Sequence, residues 1–167
     1  QLRDKNIVGA ITPQKSGNSL VQNNYRLHLA PSQIDFQSPL IQLAIQPKLL
    51  AVVNSYMGMY SFLRAVVIWA DFTTPGAPIE TQMWHRDSDD FLCVKVFTYL
   101  NAVTTVNGPF CFVPTSHRKG ELWPQGLAQY ERLTDEQIKE ITPINCKEFV
   151  GPAGTTIFAD TTGYHRG

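Results

Sequence analysis

Past Gly58 the apolar residues come in short runs closed by glycine, proline or polar clusters, and this punctuation constrains the fold more than any other feature. The run Phe62-Leu63-Arg64-Ala65-Val66-Val67-Ile68-Trp69 is rich in β-branched and aromatic residues, as a buried strand is. A loop with Pro75, Gly76 and Pro78 follows, then strand-like stretches at Glu80 to His85, Leu92 to Leu100, Phe110 to Val113, Glu148 to Val150 and Thr155 to Phe158. Short strands separated by turns predict an antiparallel sandwich or barrel.

Before that point the periodicity is helical. Leu40, Ile41, Leu43 and Ala44, then Leu49, Leu50, Val52 and Val53, recur at helical spacing, with Pro39 and Pro47 suited to first turns. Two consecutive short helices between Ser38 and Tyr56, ending near Gly58, are predicted. A third helix is announced by the capping box Thr134-Asp135-Glu136-Gln137 ahead of Ile138 and Ile141, and reads as an insertion on the barrel. Residues 1–36 are mostly polar and broken by Pro13, Gly17, Asn18 and Asn23-Asn24, so short strands and loops are expected there. No repeat, low-complexity segment or linker divides the chain. The expectation is one domain over 1–167, helical or irregular over 1–60 and β over 61–167.

A mass of 18.7 kDa suits a single core. The longest apolar run, Ala65 to Ala70, falls far short of the roughly 20 residues of a membrane span. Formal charge is zero and basic residues do not cluster, which argues against nucleic acid as a partner. Cys93, Cys111 and Cys146 are odd in number and show no C-x-x-C spacing. They are expected to be small core residues in a reducing, cytoplasmic setting. A first residue other than Met and an end two residues after His165 suggest a piece of a longer reading frame.

Chemistry is suggested by His85-Arg86-Asp87 together with His165, an H-x-D…H order. Residues two apart on a strand share a face, so His85 and Asp87 can reach one ion while Arg86 points away. His165 completes the set if a returning strand, here Thr155 to Phe158 followed by Asp160-Thr161-Thr162-Gly163, lies beside the first. Two histidines and a carboxylate on one face of an ion leave the opposite face open, the facial triad of non-haem iron. H-x-D alone is a weak signal. Asp160 is placed either as an acceptor for a ligand histidine or in a plain turn. His117, within Pro114-Thr115-Ser116-His117, reads as part of a loop held by hydrogen bonds.

Five ordered blocks give the triad its context. Trp84-His85-Arg86-Asp87-Ser88-Asp89-Asp90-Phe91, Phe97-Thr98-Tyr99-Leu100, Asn107-Gly108-Pro109-Phe110 with Val113-Pro114-Thr115-Ser116-His117-Arg118, Gly151-Pro152-Ala153-Gly154-Thr155, and Gly163-Tyr164-His165-Arg166-Gly167 resemble the phytanoyl-CoA dioxygenase family. The resemblance implies a mainly β fold with flanking helices, a double-stranded β-helix of the jelly-roll or cupin-like kind. It implies His85, Asp87 and His165 as iron(II) ligands, with 2-oxoglutarate as co-substrate. The implied reaction couples oxidative decarboxylation of 2-oxoglutarate by O₂, giving succinate and CO₂, to hydroxylation of a small-molecule substrate.

The resemblance is incomplete in one respect. Family members carry an arginine about ten residues beyond the distal histidine that grips the far carboxylate of 2-oxoglutarate. The sequence stops at Gly167, so the last strand of the β-helix is expected to be missing too. Arg166 neighbours a ligand and would face away from the metal. Lys95 is the substitute, mid-strand and at the same parity as Phe97 and Tyr99, and these three are assigned to the co-substrate. Phe97 matches a family aromatic that lines that pocket. The alternative for Lys95 is a solvent-facing side chain or a pair with Asp89 or Asp90. Three functions compete: an active oxygenase, a truncated and catalytically silent metal-binding domain of the same fold, and a cupin-like zinc or iron module without 2-oxoglutarate. A missing strand would leave an open sheet edge, from which homo-oligomers are expected.

Overall fold

The structure, a computed structural model, describes residues 25–28, 37–72, 75–118, 120–122, 132–142 and 146–167. The chain divides into two compact units, Gln1–Pro75 and Gly76–Gly167. Its described part is built of small antiparallel sheets with a few helices. Among the described residues no helix is long and apolar enough to cross a membrane.

In the first unit, strand β1 (Arg26–His28) pairs antiparallel with β2 (Trp69–Asp71). Arg26 clamps Asp71 with a fork, Nε to Oδ1 at 2.6 Å and NH2 to Oδ2 at 2.9 Å, and stacks 4.7 Å from the Trp69 ring centre. Helices α1 (Pro39–Ala44) and α2 (Pro47–Met57) are the two expected from periodicity, each with proline in its first turn. Ser38 Oγ accepts the Leu40 N–H, and Gly58 stops α2 at φ +70°, donating to Asn54 O. The strand expected at Phe62 to Trp69 is a correction: among the described residues, 61–68 join no ladder, and Phe62 is 88% exposed. β-Propensity describes fit to a half-buried pleated surface. Among the described residues, Trp69–Asp71 is the part that finds such a partner, in Arg26–His28. Of residues 1–36, the strand Arg26–His28 and Tyr25 are described; the rest of that expectation lies outside the described residues.

The second unit holds the other strands. β3 (Val94–Thr98) pairs with β6 (Thr156–Asp160), in register Lys95↔Ala159 and Phe97↔Ile157. A three-stranded sheet has the order β5 (Lys147–Phe149), β4 (Phe110–Phe112), β7 (His165–Arg166). Both faces of β4 are buried, as its unbroken Phe110-Cys111-Phe112-Val113 run demands. Phe110 packs with Ile157 and Ala159 of β6 and with Phe97, Tyr99, Phe112 and Phe149, filling the space between the two sheets. Cys111 and Val113 point the other way, to Trp84, Leu133, Tyr164 and Ile138. Ile138 belongs to α3 (Asp135–Ile141), which begins with the expected capping box: Thr134 Oγ1 accepts from Gln137 N and Gln137 Oε1 from Thr134 N.

Two further expectations are corrected here. Glu80 to His85 is not one strand: Glu80–Gln82 is a 3₁₀ turn closed by Gln82 Oε1 on the Ile79 N–H, and extended pairing starts only at Trp84 and His85. A side-chain amide that offers the backbone an acceptor competes with the ladder for it. Of the three cysteines only Cys111 is buried; Cys93 is partly buried and Cys146 exposed, because Cys146 precedes the exposed start of β5.

Candidate metal centre

The centre is made by backbone pairing before any side chain enters. His85 and His165 donate to each other's carbonyl oxygens, both at 2.9 Å, so the H-x-D segment runs antiparallel to β7 at the sheet edge. Asp87 N–H donates to Thr161 O at 2.8 Å, and Thr161 N–H to Cys93 O at 3.1 Å, which stitches the same segment to the end of β6. These bonds fix which residues share a face. Trp84, Arg86, Tyr164 and Arg166 fall on the far side, where Arg86 lies over Tyr164 and Arg166 over Trp84, each 4.9 Å from the ring centre. Arg166 also pairs with Asp135 at 2.9 Å, facing away from the histidines as expected.

Close approach at Gly163 lets β7 reach this position: a Cβ there would lie 2.7 Å from Phe112 Cζ and 3.0 Å from His117 N. Ser116 locks the same turn, donating its hydroxyl to Val113 O at 2.7 Å and accepting from Tyr164 N–H at 2.8 Å. Asp160 takes the turn role among its two alternatives. Its Oδ1 accepts from Thr162 N–H at 3.1 Å and from the Thr162 hydroxyl at 2.6 Å, while His165 turns to a backbone carbonyl. His117 lies in the expected loop, its carbonyl accepting from Gly120 N–H.

His85, Asp87 and His165 each offer one ligand atom, and these atoms lie within 4.8 Å of one another. His85 Nδ1 is 2.9 Å from Met83 O, and His165 Nδ1 is 2.9 Å from Gly163 O. A carbonyl can only accept, so each Nδ1 carries the proton and each Nε2 keeps a lone pair. Burial pushes the His165 imidazole down to about 4, with His85 beside it acting in the same direction; burial also lowers His85. For Asp87, burial alone would raise the carboxyl, but His165, Lys95 and Thr161 outweigh it and hold it below the usual carboxylate range. Two neutral imidazoles and a carboxylate are the protonation states a divalent ion requires of its ligands.

Lys95 is the cation of the site. Its Nζ sits 2.6 Å from Asp87 Oδ2 and 3.5 Å from Asp89 Oδ2. The same Asp87 Oδ2 is buried and lies 3.5 Å from His165 Nε2. Lys95 thus joins Asp87 to Asp89, the second being one of the pairs its alternative reading named, with its side chain 38% exposed. Phe97 and Tyr99 share its strand face but lie deeper, between the sheets. Phe97 stacks 4.6 Å from Phe110, which is 5.7 Å from the His165 ring. The Tyr99 hydroxyl donates to Phe149 O at 2.7 Å and accepts from Phe110 N–H at 3.2 Å. Met83 O, Gly163 O, Thr161 and Ser116 were not legible as parts of the site. The shared histidine-to-carbonyl contact two residues back is the one regularity that could have pointed to the first two.

A 2-His-1-carboxylate donor set held between short antiparallel strands is the class this geometry defines. The Phytanoyl-CoA dioxygenase (PhyH) family model matches residues 12–167, and the chain belongs to that family. Membership implies an oxygenase-type function with iron as the metal. No curated protein and no solved structure matches the chain.

Proposed function

We propose that the chain is an iron(II)- and 2-oxoglutarate-dependent dioxygenase that hydroxylates a small-molecule substrate on a double-stranded β-helix. The convergence of one ligand atom each from His85, Asp87 and His165 within 4.8 Å, with both Nδ1 atoms turned to backbone carbonyls, carries this reading. Bound there, iron(II) with 2-oxoglutarate and O₂ would supply the oxidation, releasing succinate and CO₂ as a C–H bond becomes C–OH.

The residues have divided tasks. His85, Asp87 and His165 hold the ion, and the Met83 and Gly163 carbonyls keep each ring turned so that Nε2 faces it. Lys95, the ammonium beside Asp87, is the partner for a carboxylate of the co-substrate. Phe97 gives that pocket an apolar wall, and Tyr99, its hydroxyl already committed to Phe149 and Phe110, contributes its ring. The β-helix reading is supported by the chain's passage between two facing sheets, β3 and β6 in one and β4, β5 and β7 in the other, with Phe97, Phe110 and Ile157 between them.

The test is succinate formation from 2-oxoglutarate in air with added Fe(II). The reading expects succinate from the wild-type chain and none above background from Asp87→Ala. Equal succinate from both would contradict it.

A further inference from the structure

We propose that Lys95 is the resident counter-ion of Asp87 in the metal-free protein and surrenders that carboxylate to the incoming metal ion, moving toward Asp89 as it does so. The inference rests on the reading of His85, Asp87 and His165 as a metal centre and adds an exchange to it. Two observations carry it. Lys95 Nζ is 2.6 Å from Asp87 Oδ2, the oxygen that also lies 3.5 Å from His165 Nε2, so ammonium and metal ion claim one atom. A second acceptor waits within reach, since the same Nζ is 3.5 Å from Asp89 Oδ2, and both Lys95 and Asp89 are more than one-third exposed.

Matched charge drives the exchange. A partly buried carboxylate beside two neutral imidazoles is costly without a cation, and Lys95 supplies one on a flexible four-carbon stem that can rotate away. A divalent ion offers the carboxylate twice the charge and takes both imidazole lone pairs as ligands together with it, while the ammonium lies against the carboxylates of Asp87 and Asp89. Once displaced, the ammonium stays at the exposed rim beside Asp89, where an anionic ligand of the metal would meet it. The lysine thus opposes metal binding when the site is bare and favours the anionic co-ligand when it is filled.

Calorimetric titration of the anaerobic chain with Co²⁺, an ion of iron(II)-like preference, separates this exchange from a packing role. Lys95→Met and Lys95→Gln remove the competing charge, and Lys95→Arg keeps it. The exchange expects roughly fivefold or greater tightening of Co²⁺ binding in the two neutral variants, near wild-type affinity in Lys95→Arg, and a lower melting temperature for the metal-free neutral variants. It also expects the loss in melting temperature to vanish when Asp87→Asn is already present. Equal or weaker Co²⁺ binding in Lys95→Met and Lys95→Gln overturns the exchange while leaving the metal centre intact. Absence of Co²⁺ binding in every variant, wild type included, overturns both.

Discussion

His85 and His165 exchange both main-chain hydrogen bonds, each 2.9 Å long, and this reciprocal pair brings their imidazole rings to 4.3 Å between centres, tilted by 51°. Residues 80 positions apart become nearest neighbours because the chain leaves one sheet at Asp160, turns through Thr161-Thr162-Gly163 and enters the other at His165. Directly opposite residues on antiparallel strands have side chains close enough to share a ligand. The histidines are therefore preset by backbone pairing, and Asp87, two residues on from His85, joins them on the same face.

That presetting has a pH signature in the metal-free protein. The ordinary histidine value is about 6.5, and burial brings His165 down to about 4. The folded chain therefore binds this proton more weakly than the unfolded chain, so stability is full above about pH 6.5 and is lost as pH falls toward about 4. His85, lowered for the same reason, adds to the loss in that window, and Asp87, held below the usual carboxylate range, acts only at lower pH still. Urea denaturation at pH 7 and pH 5 should show a loss of about 2 kcal/mol attributable to His165. His165→Gln, with no proton to take up, should lose distinctly less; an identical loss would place the titration elsewhere.

Ser116 ties the loop after β4 to the residue before His165 through two bonds, to Val113 O and from Tyr164 N. Ser116→Ala leaves both backbone groups buried with a partner gone, at a cost of about 1–3 kcal/mol. Metal affinity should fall with it, because Tyr164 and His165 move together. Ser116→Ala with unchanged unfolding and unchanged affinity would remove the loop from the account.

Gly163 is required by space. A Cβ at this position meets the Phe112 ring at 2.7 Å and the His117 backbone nitrogen at 3.0 Å, and the second neighbour cannot swing aside. Gly163→Ala should destabilise the fold by about 1–3 kcal/mol and weaken metal binding. Gly154→Ala, at φ +89° with no atom within 4 Å of its Cβ, should cost backbone strain while leaving metal affinity unchanged.

How much of this was legible in the sequence divides by the range of the interactions. The helices Pro39–Ala44 and Pro47–Met57 and the cap at Thr134 were readable because prolines, Gly58 and a capping pair act within a few residues. The grouping of His85, Asp87 and His165 was readable because H-x-D has the two-residue period of a strand and the strand-like Thr155 to Phe158 offered a return that brings His165 beside it. Phe62 to Trp69 misled because composition alone cannot say whether a second strand is present to take its hydrogen bonds. Lys95 was recognised as an anomaly on its strand, but its bond to Asp87 depends on a tertiary turn of the chain that no local pattern records. Ser116 serves through its hydroxyl, bonded to the Val113 carbonyl and the Tyr164 N–H, and Thr161 through its backbone, and neither set of partners follows from a local sequence pattern.

Trp84 tests whether the packing behind the centre is separable from the centre. It is 1% exposed, donates its indole N–H to Asp135 Oδ1 at 2.7 Å and lies under Arg166. Trp84→Phe removes that bond and part of the ring, so a loss of about 1–3 kcal/mol in urea unfolding is expected. Its side chain faces away from the ligands, and Co²⁺ affinity should stay within a fewfold of wild type at a temperature where the variant is folded.

The central claim is that His85, Asp87 and His165 assemble an iron site that accepts 2-oxoglutarate, and anaerobic Fe(II) titration with and without 2-oxoglutarate tests it most directly. The account predicts Fe(II) binding in the wild-type chain and a weak visible charge-transfer band that appears only when 2-oxoglutarate is added. Both should be lost in His85→Ala and His165→Ala, with affinity down by more than about a hundredfold. A band that persists in either alanine variant, or a wild-type chain that binds no Fe(II), would contradict it.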